Sequence, residues 1–348
     1  MRPDIECKAE TNRGVLPATK INKRIEIIAT ENGELKESGF GSLETAEGIC
    51  RILKLRYQHV RFSEIQNEQD LKSVSDRTPD LVVLCVKYFV RPEDSSQIWL
   101  SEYFSSCDII HTGTMRAGLE FDSNKGKAKN VLLNKGVATA KFFLAHPDLF
   151  DSEQCLPLPL PLFVKPLDAA NGNGVDEHSL VHDFKSYQMK VQRIFDVFGV
   201  SALVEEVVPG REFTVAVLES SSCGPRLIMS VEIIVPVNEK GDRVLGCNEK
   251  LSNCEQLLAV AEPEATIIAE LADQAFTFLG ARDFGRIDIK MDSAGKPYFL
   301  EANLVPGMTP ETSYFPRACA INNSLSYETV VLKIIELALG RNVLATAV

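Results

Sequence analysis

The segment that decides the fold reads Gly285-Arg286-Ile287-Asp288-Ile289-Lys290-Met291, Asp292-Ser293-Ala294-Gly295-Lys296-Pro297, Tyr298-Phe299-Leu300-Glu301-Ala302-Asn303. Two alternating runs flank turn-forming residues, the pattern of an antiparallel hairpin. If Met291 faces Tyr298, Asp288 lies opposite Glu301 and Arg286 opposite Asn303. The period of 2 then places Arg286, Asp288, Glu301 and Asn303 on one face, with Ile287, Ile289, Leu300 and Ala302 on a core face. Two carboxylates and a carboxamide on a rigid hairpin make an all-oxygen set suited to a hard divalent cation. An arginine beside them can hold an anion bound to that cation. The bland alternative is a solvated ladder of cross-strand ion pairs. Against it, Asn303 runs directly into Leu304-Val305-Pro306-Gly307-Met308-Thr309, a glycine turn that suits the rim of an active site.

At 348 residues the chain is long enough for two or three domains. Hydrophobic residues make up 45% and charged residues 24%, an ordinary balance for a globular protein. The net charge of −11 disfavours a nucleic-acid partner, whose backbone is itself anionic. No apolar run approaches the ~20 residues of a membrane span. The first twenty residues are polar and lack the apolar centre of a signal peptide. The nine cysteines are scattered without a CxxC, and Cys85 sits inside an apolar run, so reduced thiols in a cytoplasmic protein are expected.

Strand and helix patterns alternate through the first third: strand 24–30, helix 43–55, strand 57–62, the apolar strand 80–86, helix 99–104 and strand 108–113. A small parallel α/β domain over residues 21–118 follows from that order. The basic stretch 124–134 predicts a helix, 162–165 a strand, 180–198 an amphipathic helix and 202–208 a strand. Strands then dominate, at 212–218, 227–235 and the opening hairpin, with helices at 264–279 and 326–339.

Phe163-Val164-Lys165-Pro166 delivers a lysine at a strand end, and the glycine-rich 169–175 follows it. Backbone N–H groups and an ammonium can meet phosphates there, although Asn-Gly-Asn-Gly is by itself an ordinary turn. Lys125 and Lys129 on the preceding helix, taken alone, read as a solvated face. Glu205-Glu206 ends a strand, Pro209-Gly210 turns, and Glu212 opens the next strand. Carboxylates so placed can accept from a base amino group and from ribose hydroxyls; otherwise they rim a charged hairpin. His178 and His182 at i, i+4 lack a third metal ligand. His111 ends a strand, where substrates collect. No Ser/His/Asp or Cys/His signature points to nucleophilic catalysis.

In order, these motifs resemble those of the ATP-grasp ligases, and within them the D-alanine–D-alanine ligase family. The resemblance covers Phe163 to Gly340 through FVKP at 163–166, LVEEVVPGREFTVAVL at 203–218, GRIDIKMDSAGKPYFLEANLVPGMTPET at 285–312 and a final helix. The segment from Asn124 to Lys129 is similar to the family's DKxxxK, with Asn124 where aspartate is usual. The resemblance implies an α/β, three-domain ATP-grasp fold, α+β in its ATP-binding part. A polar extension (1–20) would precede the N-terminal domain (21–118), a central subdomain (119–204) and a catalytic subdomain (205–348).

It also implies roles. Lys125 and Lys165 would contact ATP phosphates. Glu205 would bond the adenine amino group, the Val208 backbone the ring edge, and Glu212 the ribose. Asp288, Glu301 and Asn303 would hold two Mg²⁺ ions, or Mn²⁺ in their place. Arg286 would stabilise charge on the reacting carboxylate, Lys250 would lie over the γ-phosphate, Gly307 would supply a backbone donor, and Thr312 would meet the second substrate's carboxylate. The implied reaction joins two amino acids through an acyl phosphate with release of ADP and phosphate. Small-molecule partners, no nucleic acid or membrane, and a homodimer are the matching expectations.

Departures from the family pattern bear on the substrate, among them the lack of an evident loop tyrosine beside Lys250. The family's Gly-Gly-x-Ser-x-Glu turn after the first strand is absent from the stretch beginning Ala29-Thr30-Glu31. Val86-Lys87 replaces His-Gly, and Asn171-Gly172 replaces a serine pair. A specialised dipeptide or amide ligase using other amino acids, a silent ATP-binding module and a simple kinase are the alternatives to a D-alanine ligase.

Overall fold

The computed structural model describes residues 19–30, 39–168, 172–220, 224–236 and 255–345. It opens with a parallel unit. Strand β1 (Ile21–Ala29) leads through α1 (Leu43–Arg56) to β2 (Tyr57–Glu64), then through α2 (Glu68–Asp76) to β3 (Leu81–Leu84), in the sheet order β2-β1-β3. Every residue of β3 is buried, as befits a strand covered on both faces. Ser42 caps α1, and Asn67 with Asp70 closes a capping box on α2.

A short hairpin, β4 (Tyr88–Val90) and β5 (Gln97–Trp99), precedes α3 (Leu100–Ser106). The strand expected at 108–113 reduces to one parallel bridge between Val82 and His111. Asp108, in the left-handed region with φ of 56°, interrupts the extended run before a ladder can form.

Helix α4 (Arg116–Asp122) is followed by α5 (Lys125–Asn134). The Asn124 side chain accepts from the Lys127 amide at 2.9 Å, so asparagine caps α5 where the family has aspartate. Next come β6 (Phe142–Ala145), β7 (Leu162–Pro166), β8 (Leu180–Val181), α6 (Phe184–Phe198) and β9 (Ala202–Glu206). The strands form an antiparallel sheet ordered β6-β9-β7-β8, with Tyr187, Val191 and Ile194 of α6 packed into its core. The helix expected from 180 begins only at Phe184, where Asp183 and Ser186 close a capping box. His178 and His182 therefore do not share a helix.

The remaining strands are β10 (Arg211–Leu218), β11 (Leu227–Ile234) and β12 (Gln256–Ala259), then, after α7 (Glu264–Phe278), β13 (Phe284–Met291) and β14 (Pro297–Asn303). They form an antiparallel sheet ordered β12-β11-β10-β13-β14. One face packs Phe213, Val215, Ile287, Ile289 and Phe299 against Ile268, Ala272 and Phe276 of α7. On the other, α8 (Tyr314–Asn323) and α9 (Tyr327–Ala345) share a core with the N-terminal sheet. Gly210 closes the turn from β9 to β10 at φ 131°, where a Cβ would lie 2.1 Å from the Met291 carbonyl oxygen; only glycine permits this approach.

The hairpin pairs Arg286 with Asn303 and Asp288 with Glu301, as the alternation predicts. Towards the turn the register differs. Met291 pairs with Pro297 rather than Tyr298, because a bulge separates the Asp288–Glu301 and Ile289–Phe299 pairs and leaves Leu300 unmatched. Phe299, not Leu300, enters the core: Phe299 is fully buried, while Leu300 is half-buried and lines a cleft. Asp292 closes the turn by accepting from the amides of Ala294 and Lys296, both at 2.9 Å.

Candidate active site

A cleft lies between the two antiparallel sheets. Its walls include Lys125, Lys165, Glu205, Val208, Glu212, Asp288 and Glu301, seven residues singled out from the sequence. They come from α5, β7, β9 and the turn after it, β10, β13 and β14, so only the tertiary fold brings them together. Gly172, Asn173 and Val175 of the glycine-rich segment also line it; Asn171 lies outside the described residues.

At one end Glu205, 3% exposed, is held by two ammonium groups. Lys129 Nζ lies 2.6 Å from Oε1 and Lys165 Nζ 2.8 Å from Oε2. Burial alone would raise the Glu205 pKa, but Lys129 and then Lys165 hold it below the usual carboxylate range. For Lys165, burial opposes the charge, and Glu205 and Glu301 more than offset it. Lys125, at the start of α5, lies 3.7 Å from Glu301 Oε2; burial dominates there and lowers its pKa. Glu212 pairs with Lys290 at 3.3 Å.

At the other end Asp288 accepts four hydrogen bonds. Thr214 Oγ1 donates at 2.7 Å, Arg286 through Nε at 3.1 Å and Nη2 at 3.0 Å, and Asn303 Nδ2 at 3.2 Å. Arg286 is buried over the Tyr314 ring at 5.5 Å. Burial works against its charge, yet the Asp288 carboxylate keeps the guanidinium above its usual pKa. Arg286 and Asn303 thus sit two residues along their strands from the cleft wall and touch it through Asp288.

Gly307 lies in the loop after β14, where a Cβ would come within 2.8 Å of Ser313 Oγ. That loop docks on the N-terminal unit, Met308 N donating to the Phe40 carbonyl at 2.8 Å. Thr312 is exposed and is not part of the cleft wall. Lys250 lies outside the described residues.

Four residues that touch the predicted ones carry no site role in the sequence reading: Lys129, Thr214, Lys290 and Tyr314. The signal for three of them was periodicity. Lys129 follows Lys125 by one helical turn, Thr214 follows Glu212 by two along a strand, and Lys290 follows Asp288 likewise. Lys129, read as part of a solvated face, is fully buried because β9 and β14 close over it. His111 is also buried, with Nδ1 3.0 Å from the Thr112 carbonyl and Arg282 nearby, away from the cleft.

Residues 132–336 match the family model described as D-ala D-ala ligase C-terminus. The chain belongs to the D-alanine–D-alanine ligase family. The D-alanine–D-alanine ligase of Laribacter hongkongensis is 30% identical over 235 residues, 65% of this chain and 69% of that protein. That of Aquifex aeolicus is 26% identical over 285 residues, 80% of this chain and 89% of that protein. An uncharacterized protein, y4sG of Sinorhizobium fredii, is 26% identical over 66% of each chain, so the match to some relatives spans about two thirds of their length. The crystal structure of D-alanine–D-alanine ligase from Bacillus anthracis complexed with ATP superposes with a TM-score of 0.71 over 93% of this chain and 99% of that one, at 18% identity. The fold is therefore ATP-grasp, and the chain is a D-alanine–D-alanine ligase-like member of it. Among the described residues, no helix is long and apolar enough to cross a membrane.

Proposed function

We propose that this ATP-grasp ligase joins two amino acids by phosphorylating the carboxylate of the first with ATP and letting the amine of the second displace phosphate, releasing ADP. The observation that carries this reading is the hairpin face whose Asp288 and Glu301 line one cleft with Lys165, Glu205 and Glu212, with Arg286 and Asn303 hydrogen-bonded to Asp288 behind the wall. A free carboxylate resists attack because its charge repels nucleophiles and its oxygen leaves poorly. Transfer of the γ-phosphoryl group to that oxygen supplies a leaving group. Amine attack on the acyl phosphate then gives a tetrahedral oxyanion, which collapses to amide and phosphate.

The residues divide this work. Lys125 and Lys165 meet phosphate charge, Glu205 and the Val208 backbone hold the adenine, and Glu212 bonds the ribose. Buried Arg286 remains a fixed cation beside the reacting carboxylate. Gly307 offers its backbone N–H, Thr312 its hydroxyl to the second substrate, and Lys250 covers the γ-phosphate. Asp288, Glu301 and the Asn303 amide oxygen would hold Mg²⁺, or Mn²⁺ in its place. Among the described residues no three His, Cys, Asp or Glu side chains form a metal cluster. Two carboxylates and an amide nevertheless suit a hard cation that keeps water and phosphate oxygens as its other ligands. The ion would supply positive charge against the phosphate oxygens.

The first substrate is inferred to be an amino acid other than D-alanine. Lys87, in the Val86-Lys87 pair that replaces the family's His-Gly, is buried and hydrogen-bonded to Asp122 Oδ1 at 3.0 Å and Ser123 Oγ at 3.3 Å. A matrix of amino-acid pairs, D-alanine included, assayed for phosphate release with mass detection of products, tests both parts. ADP and phosphate should form only with a carboxylate and an amine together. Phosphate release without amide from any pair would sink the ligase reading, and D-alanine as the best partner for itself would sink the substrate reading.

A further inference from the structure

We propose that Lys129 is a positioning residue for base selectivity, anchoring the Glu205 carboxylate as a fixed, charged acceptor; this rests on Glu205 being the partner of the nucleotide base. Lys129 is fully buried and lies behind the cleft wall. Its ammonium forms an ion pair with Glu205 Oε1 at 2.6 Å and donates to Thr139 Oγ1 at 2.6 Å and to the Phe299 carbonyl at 3.2 Å. The Thr139 hydroxyl in turn donates to the Phe299 carbonyl at 2.9 Å, tying α5, the segment before β6 and β14 into one anchor.

The two lysines on Glu205 are therefore not equivalent. Lys165 lines the cleft and holds Oε2. When Lys165 turns to a phosphate, Oε2 opens to the base while Oε1 stays on Lys129. An ionised carboxylate only accepts, so it suits the amino group of adenine and rejects the carbonyl of guanine. A protonated carboxyl would donate to that carbonyl and erase the preference. The charged groups that act on Glu205 are Lys129 of α5 and Lys165 of β7, and Lys165 in turn senses Glu301 of β14 and Glu212 of β10. Burial favours protonation of Glu205, and Lys129 is the leading opposing charge, ahead of Lys165.

Calorimetric titration of the full chain with Mg²⁺-ATP and Mg²⁺-GTP between about pH 6 and pH 9 reads this out. The wild type should prefer ATP by a ratio that is flat with pH. Lys129→Met should lower the ratio about tenfold, through the loss of one buried ion pair, and recover part of it as pH rises and Glu205 ionises. Lys129→Arg should restore most of the preference. A wild-type ratio in Lys129→Met at every pH overturns the proposal. If that variant does not fold, Thr139→Val removes one anchor and keeps the ammonium; a fall of about threefold is expected, and an unchanged ratio overturns the proposal. A wild type that binds neither nucleotide removes the proposed function and this role with it. An ATP-selective wild type with an indifferent Lys129→Met removes this role only.

Discussion

Replacing Asp288 with asparagine isolates what holds the Arg286–Asp288–Asn303 cluster together. Asp288 is 7% exposed and accepts from Thr214, from two nitrogens of Arg286 and from Asn303. Asparagine keeps one acceptor and turns the other oxygen into a donor that must face donors. It also leaves Arg286, itself 7% exposed, without its carboxylate. Removing one partner of a buried pair costs roughly 3–5 kcal/mol. The Tyr314 ring at 5.5 Å and the charge of Glu301 still face Arg286, so the low end, about 3 kcal/mol, applies. At about 2.1 cal/mol/K per residue, 348 residues unfold with an entropy of about 0.7 kcal/mol/K, so Tm should fall by about 4 °C. Thermal unfolding by circular dichroism without nucleotide measures this. Adding Arg286→Met removes the stranded charge, and the double variant should regain at least about 1 kcal/mol relative to Asp288→Asn. Strictly additive losses in the double variant would refute the coupling.

Glu301→Gln should reduce turnover by about 100-fold or more while leaving the nucleotide Kd within about threefold; a near-wild-type kcat would contradict its assignment to the cation. Leu300→Ala should cost less than about 1.5 kcal/mol of stability because Leu300 faces the cleft, whereas Phe299→Ala should cost about 3–5 kcal/mol; the reverse order in denaturant titrations would contradict the bulge. Burial depresses the pKa of His111 to about 4. The unfolded chain therefore binds more protons between about pH 4 and pH 6.5, and stability present above about pH 6.5 is lost as pH falls, by about 3 kcal/mol in all. His111→Gln should flatten the dependence of Tm on pH in that window, and an unchanged slope would show that His111 does not carry it.

Much of the site could be read locally. Alternation put Arg286, Asp288, Glu301 and Asn303 on one face because strand geometry depends on nearest neighbours only, and their pairings are those observed. Lys165 and Glu205 were found at strand ends for the same reason. The turn-side register was not readable. The Phe299 amide donates to the Ala138 carbonyl at 2.8 Å, and its carbonyl receives Lys129 and Thr139, contacts from over 150 residues away that favour the bulge over a regular ladder. The strand expected at 108–113 is only a bridge at His111, because an apolar run does not reveal the left-handed turn at Asp108.

By itself, then, the sequence determined that Arg286, Asp288, Glu301 and Asn303 share a strand face and where most strands and helices lie, consequences of backbone geometry over a few residues. The tertiary structure alone decided which faces meet. It set Lys129 opposite Glu205, Lys125 opposite Glu301 and Tyr314 beneath Arg286. The physical reason is burial: a lysine at the same helical spacing is a solvated surface charge or the counter-ion of a buried carboxylate, depending on which strand packs over it. Lys87 falls under the same rule, since its pairing with Asp122 comes from a helix end that no local pattern connects to β3.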